Sequence, residues 1–170
     1  VLGQQVSVAG ATTVSGRLVR RFGTLADTPF IGLSHHFPTA EQLAHAHVED
    51  IAAIGMPTAR AGAILNLAQF AAQGGLTMKP GTSLEETVAH LKTVRGIGEW
   101  TAQYIAMRAL RFPDGFPAGD LGLQKAAMEV EGGARLTEKQ LLERAKTWSP
   151  WRAYAALLLW HSLSGRVFIK

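Results

Sequence analysis

Apolar residues recur along this chain at the three- and four-residue spacing that places side chains on one face of an α-helix. Alanine and leucine outnumber the β-branched residues, and this composition also favours helix. Residues that commonly start helices precede these segments, and glycine follows several of them. The pattern predicts an all-α fold. The predicted helices begin near residues 7, 39, 48, 57, 83, 99, 120, 137 and 151.

Most of these starts carry a capping pattern. Ser7 is placed to cap the first helix, and three later starts have Ser or Thr followed three residues on by Glu or Gln, the spacing of a capping box. Ser149 and Pro150 predict the start of the last helix, with serine as the cap and proline at the first helical position. The three capping boxes pair Thr39 with Gln42, Ser83 with Glu86 and Thr137 with Gln140.

The central stretch, residues 84–110, has the pattern of two helices joined by a tight glycine turn. We expect Gly96 and Gly98 to end the first helix, because glycine enters left-handed conformations at low cost. The second helix would start with unpaired backbone N–H groups, which favour an anion such as phosphate. The apolar face of the first helix comprises Leu84, Val88, Leu91 and Val94, and that of the second comprises Trp100, Tyr104 and Met107.

Composition narrows the possible chemistry. The chain has 170 residues, enough for a substantial core, and a formal net charge of +4, which suits a polyanionic partner without requiring one. It contains no cysteine, which excludes disulfides, a thiol nucleophile, cysteine-bound zinc and an iron–sulfur cluster. No apolar run reaches the length of about 18 residues that a membrane span requires.

Two groups of histidines invite a metal interpretation. His35 and His36 lie in the irregular stretch 23–38, where no nearby carboxylate or thiol completes a ligand set. His45 and Glu49 share a helical spacing only if one helix runs through Val48, and we predict two helices there. We interpret both groups as solvated surface residues.

Four blocks of this sequence resemble a known family. They occur in the order seen in AlkA-like alkylbase DNA glycosylases (3-methyladenine DNA glycosylase II), and they span almost the whole chain. The turn VRGIG at residues 94–98 also resembles that of the helix-hairpin-helix superfamily. The blocks are VLGQQVSVAGA, GIGEWTAQYIAMRAL, FPAGDLGLQKA and WSPWRAYAALLLW.

The resemblance implies a helix-hairpin-helix glycosylase fold, a compact helical domain with a cleft, over residues 1–170, with the hairpin at 84–110. Family members usually carry a further N-terminal part, which we expect to be missing here. The implied function is monofunctional base excision: hydrolysis of the N-glycosidic bond of N-alkylated purines, such as 3-methyladenine, flipped out of double-stranded DNA. A monomeric, cytoplasmic, DNA-associated protein without a catalytic cofactor is expected. The alternative is a non-catalytic helix-hairpin-helix DNA-binding module.

Asp120 occupies the position of the family's catalytic aspartate. Breaking a purine glycosidic bond builds positive charge on the sugar, which a nearby carboxylate stabilises while it orients the attacking water. A base that is already cationic needs little help from a general acid. Taken by itself, Asp120 has the features of a helix N-cap, and the two roles are compatible.

The resemblance also places Trp100, Tyr104 and Trp160 in a pocket for the flipped base. Aromatic faces can stack on that base and attract a cationic one, worth about 0.5–2 kcal/mol per contact. Plain core packing is the alternative for any such aromatic residue, and we favour it for Trp148 and Trp151.

The resemblance gives the hairpin the role of gripping DNA without reading its sequence. The N–H groups around Gly96, Ile97 and Gly98 would face a phosphate, with Arg95 adding charge where the family usually has proline. Gln5 takes the position of an apolar wedge that fills the space left by the flipped base. Backbone carbonyls at Lys92, Val94 and Ile97 match those that hold a monovalent cation, Na⁺ or K⁺, in the family.

Trp100 stands where bifunctional relatives carry a catalytic lysine. Without that amine no Schiff base to the sugar forms, so we expect no strand cleavage. Lys92 and Lys125 are the nearest lysines in sequence, and neither matches the motif position.

Overall fold

The computed structural model describes residues 1–4, 6–30, 32–132 and 134–163. Every regular helix or strand element in these ranges is helical, as predicted, apart from an isolated antiparallel bridge between Leu25 and His35. The α-helices are α1 (Val8–Phe22), α2 (Ala40–Ala44), α3 (Val48–Ala52), α4 (Thr58–Ala72), α5 (Leu84–Lys92), α6 (Glu99–Arg108), α7 (Leu121–Glu131), α8 (Glu138–Ala145) and α9 (Arg152–Ser162). A 3₁₀ turn, Lys146–Trp148, follows α8. None of the helices in these ranges is both long and apolar enough to cross a membrane.

The chain divides into two compact units. The first comprises Val1–Pro80 and Thr93–Ile97, and the second comprises Gly81–Lys92 and the chain from Gly98 onward. The core of the first unit joins α1–α4 around residues such as Leu18, Ile51 and Ala61. The core of the second gathers α6–α9 and the loop before α7, with Leu123 and Leu141 at its centre.

The predicted caps at four helix starts are confirmed. Ser7 accepts a hydrogen bond from the Gly10 N–H at 3.1 Å. The capping boxes before α2, α5 and α8 each show both reciprocal hydrogen bonds. The prediction of two separate helices around Val48 is also confirmed, so that His45 and Glu49 belong to different elements.

The end of α5 differs from the prediction. The helix ends at Lys92, so Val94 lies beyond it and is buried in the turn. Gly96 does take a left-handed conformation, with φ of 95°. Gly98 does not: it is extended, with φ of −90° and ψ of 179°, because it is the N-cap of α6, where the chain must enter the helix from an extended conformation.

The predicted cap of α9 is wrong, although the helix starts within one residue of the predicted Trp151. Ser149 and Pro150 are joined by a cis peptide bond and precede the helix, which begins at Arg152. Its first N–H groups are satisfied by a distant loop: Asp114 accepts from the Arg152 N–H at 3.2 Å, and the Pro113 carbonyl accepts from Ala153 at 2.9 Å. The serine hydroxyl instead donates to Asp114 at 2.9 Å.

Asp114 also forms an ion pair with Arg152. The guanidinium donates to both carboxylate oxygens, at 2.8 and 2.7 Å, in the bidentate geometry that is strongest for this pair. Burial acts to raise the pKa of Asp114, but the hydrogen bonds from Arg152 and Ser149 outweigh it and hold the pKa below its ordinary value. The hydrogen bond to Asp114 raises the pKa of Arg152.

One expectation about apolar side chains needs correction. In α4, Ile64 is buried together with three alanines, whereas Leu65, Leu67 and Phe70 are half-buried. Trp148 packs edge-on against Phe116, with ring centroids 5.9 Å apart. Trp151 is 58% exposed and lies outside the core, because it precedes the first turn of α9.

Candidate active site

Asp120 stands at the N-terminus of α7, where its side chain caps the helix. Its Oδ1 accepts a hydrogen bond from the Leu123 N–H at 2.9 Å. The preceding loop is buried at Phe116, Pro117 and Ala118, while the carboxylate itself is half-buried. The cap thus orients a partly accessible carboxylate at the end of a closely packed loop.

Two indole N–H groups bind the same carboxylate. Trp100, in α6, donates to Oδ2 at 3.1 Å, and Trp160, in α9, donates to Oδ1 at 2.9 Å. Together with the Leu123 N–H, Asp120 therefore accepts three hydrogen bonds. A carboxylate offers about four acceptor positions, so the one that remains lies on Oδ2. Three helices fix this side chain in one orientation.

The three aromatic residues predicted to line a base pocket lie together beside Asp120. Trp100 and Tyr104 are stacked, with centroids 5.4 Å apart and planes inclined by 24°. Tyr104 and Trp160 are tilted by 56° at 5.8 Å. All three rings are half-buried, so they retain surface for contact with a ligand. Because both indole N–H groups point to the carboxylate, the acid and the rings form one cluster.

Gly122, which sequence reasoning missed, leaves the space that this cluster occupies. A Cβ atom at this position would lie 2.9 Å from Asp120 Oδ1 and 3.5 Å from two indole atoms of Trp160. The sequence offered one signal for this role. A glycine in the first turn of a helix is unfavourable because of its low helix propensity, so its presence there indicates that glycine is needed for another reason.

Gln124 is a second residue that the sequence did not single out. It is 7% exposed, and its amide donates to the Ala118 carbonyl at 3.2 Å. Its oxygen accepts two hydrogen bonds from Arg135, at 3.2 and 3.0 Å. A buried amide satisfied at both ends holds the loop before Asp120 in place.

The hairpin turn packs closely within the first unit. A Cβ atom on Gly96 would lie 2.4 Å from the Cβ of Ala63 in α4, so packing as well as the positive φ requires glycine there. The Arg95 carbonyl accepts from the Asn66 side chain at 3.0 Å. The Arg95 side chain is exposed, and Ile97 is buried.

Gly98 is a different case, because nothing lies within 4 Å of where its Cβ would be. It is exposed and is the N-cap of α6. The fold therefore does not require glycine here. Gln5, the predicted wedge, lies outside the described residues.

The nearest lysines before and after Trp100 in the sequence, Lys92 and Lys125, are both engaged in ion pairs. Lys92 donates to Glu99 at 2.7 Å, and Lys125 lies 3.6 Å from Glu129. The hydrogen bond from Lys92 is the largest influence on Glu99 and holds the pKa of that carboxyl below its ordinary value. Trp100, which the resemblance places at the position of a lyase amine, donates its indole N–H to Asp120.

Comparison with known proteins places this geometry in a family. The sequence model of the HhH-GPD superfamily base excision DNA repair proteins matches residues 1–151. The chain is 39% identical over 163 residues to a probable bifunctional transcriptional activator/DNA repair enzyme AlkA of Mycobacterium tuberculosis, a match covering 96% of this chain and 32% of the relative. It is 36% identical over 163 residues to DNA-3-methyladenine glycosylase 2 of Escherichia coli, covering 95% and 55%. The resemblance to AlkA-like proteins is thereby confirmed, although the chain spans only a third to just over half of the length of these relatives.

Solved structures agree on the fold. The 3-methyladenine DNA glycosylase of Archaeoglobus fulgidus superposes with a TM-score of 0.77 at 26% identity, over 94% of this chain and 54% of that one. The Schizosaccharomyces pombe 3-methyladenine DNA glycosylase Mag1, solved in complex with abasic DNA, gives the same TM-score at 23% identity, over 99% and 79%. The second likeness bears on the fold alone.

Proposed function

This chain belongs to the HhH-GPD superfamily of base excision DNA repair proteins, and from that premise we propose that it is a monofunctional DNA glycosylase for N-alkylated purines, 3-methyladenine-like lesions first. The observation that carries the proposal is the Asp120 carboxylate, held by the indole N–H groups of Trp100 and Trp160 beside three stacked or tilted rings. The name of the E. coli relative, DNA-3-methyladenine glycosylase 2, supports the same lesion class.

The proposed reaction is hydrolysis at the C1′ atom of a flipped nucleotide. The bond from C1′ to the base nitrogen breaks, its electron pair leaves with the base, and water supplies the new C1′–O bond while one of its protons is released to solvent. An N-alkylated purine carries a positive charge that this electron pair neutralises, so it departs without protonation. Asp120 stabilises the positive charge that grows on the sugar, and its free position on Oδ2 is available to orient the water.

The aromatic cluster would select the lesion. Electron-rich ring faces attract a cationic base more than a neutral one, by about 0.5–2 kcal/mol per contact. Tyr104 is the central ring, in contact with both tryptophans. Binding of a flipped base would also offset the few kcal/mol needed to unstack it from the duplex.

The proposed partner is double-stranded DNA containing alkylated bases, bound by a monomer and placing the protein at DNA in the cytoplasm. Gly96 and Gly98 would present N–H groups to a phosphate, and Arg95 would add charge nearby. The Ile97 N–H, predicted to face the same phosphate, instead donates to the Val94 carbonyl within the turn. The carbonyls of Lys92, Val94 and Ile97 would hold a monovalent cation, Na⁺ or K⁺. The Val94 carbonyl accepts one hydrogen bond, from Ile97 at 3.0 Å, and keeps a second lone pair, so the donor type fits that role.

Base release from an alkylated duplex, with Asp120→Asn beside the unchanged protein, tests the proposal. We expect the rate to fall about a hundredfold or more, because the acid acts on charge that exists only in the transition state, while DNA affinity stays within a few-fold. Asparagine caps helices about as well as aspartate, so α7 should persist. Asp27→Asn, in an exposed loop, is the matched control and should be unaffected.

Comparable base release by Asp120→Asn would refute the catalytic role. Binding of duplex DNA with no base release by the unchanged protein would favour the non-catalytic module instead.

A further inference from the structure

The loop that leads to Asp120, residues 116–119 and hereafter the active-site loop, is also held from α6. The Phe116 N–H donates to the side-chain oxygen of Gln103 at 3.1 Å. Two residues further on, the Ala118 carbonyl accepts from Gln124. The Asp120 N–H donates to the Pro117 carbonyl at 2.9 Å, so a shift of the loop moves Asp120 with it.

Gln103 is itself held by a charged pair. Its amide nitrogen donates to Glu99 Oε1 at 3.0 Å, and Glu99 Oε2 accepts from Lys92 at 2.7 Å. The amide can satisfy both neighbours in only one orientation, because the Phe116 N–H needs an acceptor and the Glu99 carboxylate needs a donor. A line of hydrogen bonds therefore runs from the last residue of α5 through the first turn of α6 to the active-site loop.

Trp100, one of the three donors to Asp120, lies in the same helix as Glu99 and Gln103. Trp100 follows Glu99 directly in α6, and Gln103 lies one turn later. The helix that donates an indole N–H to the carboxylate therefore also fixes the loop that carries the carboxylate. A displacement of about 1 Å between catalytic groups can cost on the order of a hundredfold in rate.

We propose that Glu99 and Gln103 are positioning residues that set the active-site loop, and with it the Asp120 carboxylate, relative to the hairpin helices α5 and α6. The inference rests on the proposed function, which makes Asp120 the catalytic residue. Lys92 and Glu99 side chains are each 47% exposed, and exposed ion pairs contribute little to stability. The effect of this network is therefore on the position of the loop more than on the free energy of unfolding.

Reversing the polarity of the network tests the proposal. Gln103→Glu places two carboxylates at the 3.0 Å separation now occupied by an amide–carboxylate bond, which pushes the side chain away from the loop. In the double variant Glu99→Gln/Gln103→Glu, the amide introduced at position 99 donates to the carboxylate introduced at 103 and still accepts from Lys92. The carboxylate at 103 still accepts from the Phe116 N–H. The double variant therefore restores every hydrogen bond of the network, with the negative charge moved from position 99 to position 103.

The measurement is single-turnover excision from a duplex carrying one 7-methylguanine, over a range of enzyme concentrations. For Gln103→Glu we expect the rate at saturating enzyme to fall about 10- to 100-fold, with the half-saturating concentration within a few-fold and Tm within a few degrees of the unchanged protein. The double variant should recover to within a few-fold. Gln69→Glu, on the exposed face of α4, makes the same charge change elsewhere and should leave the rate unchanged.

Three results would overturn the proposal: an unchanged rate for Gln103→Glu, a double variant as slow as the single one, or a loss of rate that only follows a loss of Tm. The nuclear magnetic resonance shifts of the Trp100 and Trp160 indole N–H groups give a second readout, because both donate to Asp120. Gln103→Glu should move them and the double variant should return them. If the unchanged protein releases no base, the proposed function fails, and these shifts still decide whether Gln103 positions Asp120.

Discussion

Gly122 provides a substitution that should slow base release even though alanine normally favours a helix. It lies in the first turn of α7, two residues after Asp120. Alanine there would normally favour the helix, by up to about 1 kcal/mol relative to glycine. The added methyl group, however, would lie 2.9 Å from Asp120 Oδ1, where ordinary van der Waals contact begins at 3.4 Å.

The size of the effect follows from these distances. The carboxylate oxygen must retreat by about half an ångström, the difference between 2.9 and 3.4 Å. A retreat of that size would break or greatly weaken the 2.9 Å bond from Trp160. A hydrogen bond to a charged group contributes about 1.5–3 kcal/mol. Because 1.36 kcal/mol corresponds to a tenfold change in rate, we expect Gly122→Ala to lower base release about 10- to 100-fold.

Single-turnover base release and thermal unfolding, measured together, check this prediction. Gly62→Ala is the matched control, since nothing lies within 4 Å of its Cβ position inside α4. The control should raise Tm by a few degrees and leave the rate unchanged. Gly122→Ala should lower the rate and also lower Tm by a few degrees, because the weakened hydrogen bond outweighs the gain in helix propensity. A wild-type rate at unchanged Tm would show that the position of the carboxylate is not tightly set, and our reasoning about this site would be wrong.

Other changes give separate tests. Gly98→Val should fold normally, because its Cβ would meet no protein atom, and it should weaken binding to every duplex alike. Gly96→Val should lose stability as well. Unchanged duplex affinity for a folded Gly98→Val would show that the turn does not contact DNA. Asp114→Asn should cost about 1.5–3 kcal/mol of unfolding free energy near neutral pH. The pKa of Asp114 is lower in the folded protein than in the unfolded chain, so Asp114 stabilises the fold above the unfolded pKa of about 4. This stabilisation is lost as the pH falls through the folded pKa, so the unfolding free energies of the variant and the unchanged protein should converge in acid. With Trp100 at the lyase position, borohydride should trap no protein–DNA adduct and strands should break only after hot alkali; a trapped adduct would refute the monofunctional assignment.

The sequence predicted helix starts well where the cap is local. Ser7 and Thr39 bond to an N–H three residues away, so the pattern that predicts the cap also contains both partners. The cap of α9 was mispredicted because it comes from Asp114, 38 residues before Arg152. A serine followed by proline has the local features of a cap, and only the tertiary contact shows that another residue performs that role.

In the candidate site, too, the sequence predicts local features, whereas contacts between distant residues appear only in the structure. Family resemblance and helical spacing were enough to bring together Asp120, Trp100, Tyr104 and Trp160. They did not show that both indole N–H groups bind the carboxylate, because spacing places a residue on a face without orienting its side-chain atoms. Gly122 and Gln103 were missed for the same reason, since each acts through atoms that only the packed structure brings close.

The hydrogen bonds around Asp120 bear on what kind of catalysis the proposed enzyme would perform. Three N–H donors take three of about four acceptor positions, so the carboxylate is fixed in direction and has room for one further partner on Oδ2. Such a group is well suited to present a constant negative charge to a sugar that becomes positive, because its dipolar surroundings need not reorganise during the reaction. It can orient one water molecule but cannot also assist the leaving base. A substrate whose base already carries positive charge removes that need, and so the arrangement of donors and the aromatic faces favour the same class of lesion.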